Sequence, residues 1–417
     1  MIEELSVLQQ QNNIPNNLFE VEIVEKFYSE LLKDLSFSKA FSLTLVEDFI
    51  RNYLLHIQND FSTHDVSEFL SNLKEHLNLN LQDFWIIGEL NGSYVETDMI
   101  TSNIKIISGP NIKQKLKEFF SDSEIEHLSK KFKNRLFEYP LIAIKIRAQS
   151  EFINDFGSTC LMYANALLYI FAAKEKLPSK DFKIESMFNK TYYKEASKCR
   201  ISSILCKGER DLFTVRANFD TRCEFNLNFL QSSEKLQQFE ELYYYIVNQF
   251  FQKNAVRSKV ITALKLYRQA VLLEEENNNL TGISTSIVLL NAASECLLLK
   301  KENNKKKSLI NLYTELLKNH NIQENINQTV GKFYNKRSAF VHEGKMTFKD
   351  YKENFSDGEN TTLLNSYKYI LSLLIFEIVN LSKTYSSLRS WYNYLNQINE
   401  NSLDSGNNSH SEPSNLM

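Results

Sequence analysis

The chain has 417 residues, more than one compact core usually holds. Its 43% hydrophobic and 12% aromatic content, with only 10 Gly and 5 Pro, excludes a wholly disordered protein and favours helix. A formal net charge of −3 excludes a molecule-wide basic field, so any attraction to nucleic acid must come from a local patch.

Between about Leu18 and Leu77, apolar residues recur at three and four (Phe27, Leu31, Leu32, Leu35, then Phe49, Tyr53, Leu54), which predicts two or three helices. The pattern changes at Phe84-Trp85-Ile86-Ile87-Gly88-Glu89-Leu90. Asn91-Gly92 follows, a dipeptide that tolerates positive φ and predicts a hairpin, with a third strand near Ile104 to Ile107. Helical spacing returns through Phe120, and Ser123 with Glu126 has capping-box spacing for the next helix. Ile142, Ile144 and Ile146 alternate with Ala143, Lys145 and Arg147 in the period of a half-buried strand. A helix from about Gly157 to Lys176 and a further β region from Arg200 to Phe229 complete a mixed α+β half.

From Ser232 the strand signals stop and long helical periods take over. The expected division is an α+β domain over 1–240, an all-helical domain over 250–395 and a disordered polar tail over 396–417. A helix near Ser284 to Lys300 is apolar nearly all round, which places it at the centre of a bundle, and another runs from about Thr361 to Tyr385. The apolar run Ile370 to Leu381 is short for a bilayer and carries Glu377, so it reads as core and no membrane partner is expected.

Cys160, Cys199, Cys206, Cys223 and Cys296 lack CxxC and mixed Cys/His ligand spacing, and the opening Met-Ile-Glu-Glu is not a secretory leader. Reduced thiols in a cytoplasm are expected. His56, His64, His76, His127, His320 and His410 are scattered, so neither a metal nor a cofactor is expected. Phe156-Gly157-Ser158 resembles the start of a nucleotidyltransferase motif, but the paired acidic strand that would hold magnesium does not follow. P-loop, Rossmann and GxSxG signatures are absent.

One stretch joins a histidine, an arginine and a chain stop in a helical setting: Phe333-Tyr334-Asn335-Lys336-Arg337-Ser338-Ala339-Phe340-Val341-His342-Glu343-Gly344. A spacing of five turns Arg337 and His342 roughly 140° apart on a helix, so they do not share a face. Gly344 is suited to end the helix, which puts His342 in the last turn, where the long Arg337 side chain can reach toward it. Glu295, on the apolar helix, is costly unless paired and is a candidate to hold Arg337, although a solvent-facing strip would also accommodate it. Lys300 to Lys307, with Lys332, Lys336 and Lys345, are candidates for a phosphate-tracking patch, and Tyr334 for stacking a base.

Arg-x-x-x-x-His followed by Gly, late in an all-helical domain, resembles the ribonuclease motif of the HEPN superfamily. With Ala263-Leu264-Lys265-Leu266-Tyr267-Arg268-Gln269-Ala270 and the Leu289-to-Leu298 helix, residues 252 to 385 resemble its Apea-like family. The resemblance implies metal-independent RNA cleavage by Arg337 and His342 at the interface of a homodimer, in an anti-phage or toxin-like defence role. Residues 1–240 would then sense a trigger, bind RNA or restrain the helical domain. Ser338 stands where active relatives commonly carry Asn, Asp or His. That keeps open a second reading, a non-catalytic HEPN module that dimerises or binds nucleic acid.

Overall fold

The computed structural model describes residues 43–56, 68, 71–73, 75–77, 79–90, 95–108, 111–131, 140–150, 153–175, 204–207, 212–215, 227–247, 254–276, 280–300, 304–322, 325–344 and 363–407. The protein is mostly helical, with an antiparallel sheet in its N-terminal half. Among the described residues the elements run α1 (Leu43–His56), β1 (Gln82–Glu89), β2 (Met99–Ile100), β3 (Ile104–Ile107), α2 (Ile112–Lys115), α3 (Asp122–Lys131), β4 (Leu141–Ala148) and α4 (Ile153–Lys174). Two short strands, β5 (Ile204–Lys207) and β6 (Leu212–Val215), precede the helices α5 (Ser233–Val247), α6 (Ala255–Glu276), α7 (Leu280–Leu298), α8 (Lys305–Leu316), α9 (Ile326–Glu343), α10 (Leu363–Ser382) and α11 (Leu388–Asn407).

The sheet has the order β2-β3-β4-β1-β5-β6. The strand at Phe84 therefore does not pair with the one that follows it, as a turn at Asn91-Gly92 would require. It pairs with β4 on one side (Phe84 opposite Ile146) and β5 on the other. The turn dipeptide itself lies outside the described residues. The reason lies in the strand's own composition: Phe84 and Ile86 are buried toward one face and Ile87 toward the other, which suits a central strand. Phe84, Ile86, Ile104, Ile106, Ile142, Ile144 and Ile146 join the main core, in which α4 lies. Ile87, Ile107, Leu141 and Ala143 face a smaller cluster built by Ile112, Leu116, Phe119, Phe120, Ile125 and Leu128. The cap of α3 also differs from expectation. Ser121, not Ser123, closes the box: the Glu124 carboxylate accepts from the Ser121 backbone N–H at 2.9 Å, and Ser121 Oγ accepts in turn from the Glu124 N–H at 3.4 Å.

α4 joins the two halves. Its window Phe156–Lys174 is long and apolar enough to cross a membrane, yet 72% of it is buried, against the sheet on one side and α6 and α10 on the other. Phe171 meets Phe239 of α5 edge-on at 5.4 Å and Phe376 of α10 at 4.9 Å. α5 crosses the expected boundary at 240 and is tied back to the sheet. Tyr244 Oη donates to the Lys145 carbonyl at 2.6 Å, and Glu240 accepts from Asn103 Nδ2 at 2.7 Å. One apolar cluster consequently runs from Val46 to Leu395.

α7 is the central helix, packed on α6 along its length and also touching α8, α9 and α10. Its apolar circumference reflects neighbours on most sides. The polar run beyond residue 396, expected to be disordered, continues α11 as helix to Asn407. The helix is anchored by Trp391, which is fully buried and donates Nε1–H to the Leu297 carbonyl at 3.0 Å. Leu395 is buried, Ile398 packs on the same core and Asn399 bonds Asn311 and Ser308 of α8, so the helix is paid for by packing on one face while its other face stays polar.

This arrangement gives a direct test of the α11 anchor. Truncation after Tyr394, which removes Leu395 and Ile398, lowers unfolding stability by roughly 3 kcal/mol.

Candidate functional site

The Arg337–His342 segment belongs to α9. Asn325 starts this helix, its side chain accepting from the Gln328 backbone N–H at 2.9 Å. Gly344 ends it with φ 63° and ψ 16°, and its N–H donates to the Phe340 carbonyl at 2.9 Å. The left-handed stop read from Gly344 is therefore in place, and His342 sits in the last turn with its ring exposed. Val341 beside it is 48% exposed, one of few large apolar side chains on the described surface.

The inner face of α9 is fixed by aromatic packing. Phe333, fully buried, stacks on Tyr367 of α10 with ring centroids 3.7 Å apart and 7° between planes. The Tyr367 hydroxyl lies 2.7 Å from Ser294 Oγ, which also meets the Tyr313 hydroxyl of α8 at 2.6 Å and bonds the Leu290 carbonyl. Burial pushes the Tyr367 phenol up to about 12 and raises that of Tyr313 well above its ordinary value, so both stay neutral and act as hydrogen-bonding struts. The sequence reading missed this node. Its only trace was Ser294, one of several polar residues on a largely apolar helix.

Glu295 follows Ser294 directly and points to the same junction. Its Oε2 accepts from Lys305 Nζ at 2.8 Å, and its Oε1 lies 3.7 Å from an Arg337 terminal nitrogen. The second distance is an ion pair and too long for a hydrogen bond. The carboxylate is 16% exposed and the Arg337 side chain 23%, so Glu295 faces the arginine and not a solvent strip. The Arg337 guanidinium also lies 5.8 Å from the centroid of the Tyr334 ring. No hydrogen bond or ion pair joins Arg337 to His342. Within one chain the arginine turns inward to Glu295 and Tyr334, while the histidine points to solvent, as their angular separation on a regular helix requires.

The other candidate residues fall as follows. Ser338 is half-buried in the middle of α9. Tyr334 is partly buried against the core, which limits it as a stacking platform. Lys332 is exposed on α9, Lys336 is half-buried, and Lys345 lies outside the described residues. Of the lysine run, Lys305 is committed to Glu295, Lys306 passes beside Gly331 of α9 with Cε 3.7 Å from where a Cβ would stand, and Lys300 lies 5.9 Å from the Tyr392 ring centroid. The structure thus brings Lys305, Lys306 and Arg337 to the α8–α9 side and sends Lys300 toward α11. Glu377, expected as an acid inside an apolar helix, is accounted for by His320, whose Nε2 lies 3.3 Å from its Oε2. Among the described cysteines with placed side chains, neither Cys160 nor Cys296 is in a disulfide.

The chain matches no family model, no curated protein and no solved structure with which it was compared. Functional inference therefore rests on the residues and their geometry.

The positive φ of Gly344 gives a direct test. A Cβ there meets nothing within 4 Å, so the penalty of Gly344→Val is backbone strain alone, roughly 1–2 kcal/mol, and Gly344→Asn costs clearly less. Chemical denaturation of the two variants measures the difference.

Proposed function

We propose that the protein is a metal-independent endoribonuclease of HEPN type, active as a homodimer in a cytoplasmic defence or toxin-like role. The observation that carries this reading is the split arrangement on α9: an arginine anchored by Glu295 on one side and an exposed histidine in the capped last turn on another. RNA brings its own nucleophile, the 2′-hydroxyl, so little protein chemistry is required. His342, free of any internal partner, is placed to take a proton from that hydroxyl or to give one to the leaving 5′-oxygen. Arg337 offers a planar fork to the phosphate oxygens as charge builds on them. The 2′-oxygen attacks phosphorus, the P–O5′ bond breaks, and the products are a 2′,3′-cyclic phosphate and a 5′-hydroxyl.

One chain turns its arginine and histidine to different sides, so a second copy facing the first is the economical way to bring two such pairs onto one phosphate. The exposed Val341 beside His342 supports a partner surface there. Lys306 and Lys332, with Lys305 beside Glu295, supply local positive charge near Arg337. The sheet-bearing half would sense a trigger or restrain the dimer. Ser338, where active relatives commonly carry Asn, Asp or His, favours the second reading, a module that binds nucleic acid without cutting it.

RNA incubated with the protein in EDTA separates the two. The wild type is expected to leave cyclic-phosphate ends, with His342→Ala and Arg337→Ala each slowing cleavage by about 10²-fold or more. Glu295→Gln, which loosens the arginine, should give a smaller loss. Cleavage that needs magnesium or survives His342→Ala would overturn the mechanism. RNA binding without cleavage in the wild type would establish the second reading.

A further inference from the structure

A cavity of about 190 Å³ lies between α4 and α6, lined by Met162, Tyr163 and Ala166 from the first and Lys265, Arg268 and Gln269 from the second. Lys265, Arg268 and Gln269 stand at i, i+3 and i+4, so one face of α6 presents a lysine, an arginine and an amide to the same space. Arg268 has no carboxylate within ion-pair distance among the described residues. Its Nε is buried without a hydrogen-bond partner. Burial works against its charge, lowering the guanidinium's pKa, and the phenol of Tyr169 works the other way. A largely buried guanidinium lining a cavity, with no acid beside it among the described residues, is suited to receive an anion.

We propose that this cavity binds a small oxyanion, a phosphate or carboxylate group carried on a small molecule, with Arg268 as its principal donor, Lys265 as a second positive charge and Gln269 as an amide donor. The space of about 190 Å³ accommodates a small oxyanion, and its open side leaves room for a short carbon skeleton. Met162 and Ala166 give the non-ionic part an apolar wall.

The cavity is distinct from the Arg337 site. α6 and α7 run antiparallel, with Ser286 Oγ donating to the Ala270 carbonyl and Lys259 Nζ donating to the Cys296 carbonyl. Lys265, Arg268 and Gln269 belong to the Ala270–Ser286 end and Glu295 to the other, roughly 13 Å further along α7. The ligand would bridge α4 of the sheet-bearing half to α6 of the helical half, and its binding should therefore stabilise their docking whether or not the protein cuts RNA.

Thermal unfolding of the full chain at constant ionic strength tests this, with inorganic phosphate and propionate as probes and chloride as the control. At least one probe should raise the midpoint saturably above the chloride baseline. Arg268→Gln should weaken its apparent affinity by roughly tenfold or more, and Arg268→Lys, which keeps charge but loses the fork, should fall between. The absence of a saturable shift with either probe would overturn the proposal. So would an equal shift in Arg268→Gln, provided its circular dichroism and elution match the wild type.

Discussion

The helical half is organised by a serine held between two buried tyrosines. Ser294 accepts or donates to Tyr313 and Tyr367 while bonding its own helix at Leu290, so the rotations of α7, α8 and α10 about their axes are fixed together. In a low-dielectric interior such a group has few other ways to satisfy itself, and leaving one hydroxyl unpaired is costly, typically ~1–3 kcal/mol. Phe333 lies flat on Tyr367 and fixes α9 against the same point. Glu295 is the next residue after the serine, and Arg337 is one turn after the phenylalanine. The candidate site inherits its geometry from a core junction that itself has no chemistry.

The second constraint is the shared core. Helix α4 is apolar enough to be mistaken for a membrane span because it is covered on two sides by different kinds of structure, the sheet on one and the helices on the other. Phe171 touches both α5 and α10. The two halves therefore lack the polar, thin interface of domains that move freely past one another. α4 thus packs on the sheet and on the helices alike, and the cavity at Arg268 opens beside it.

Much of this was legible in the residues. The apolar circumference of α7 placed it centrally, and Gly344 announced the end of α9. The strand at Ile142 to Ile146 followed its alternation. What was not legible depended on partners distant in sequence. β1 pairs with residues more than fifty positions away, so the local Asn-Gly signal could not reveal its neighbours. Ser121 and Ser123 each precede a glutamate by three, and only the start of α3 decides between them. The helix beyond residue 396 needed Trp391 and Leu395 to find their places in the core. The direction of the Arg337 side chain needed Glu295 and Tyr334 in space, because spacing on one helix gives angles and not contacts.

The junction at Glu295 also has an arithmetic of charge. One carboxylate serves two cations, Lys305 at hydrogen-bond distance and Arg337 further off. Among the described residues, one positive charge then remains uncompensated at a partly sheltered surface, where water screens it less than at an open one. An arriving anion would complete the neutralisation without first breaking an existing hydrogen bond of the arginine. The site is then electrostatically unfinished in the isolated chain, and the long arm of the ion pair marks where completion would occur.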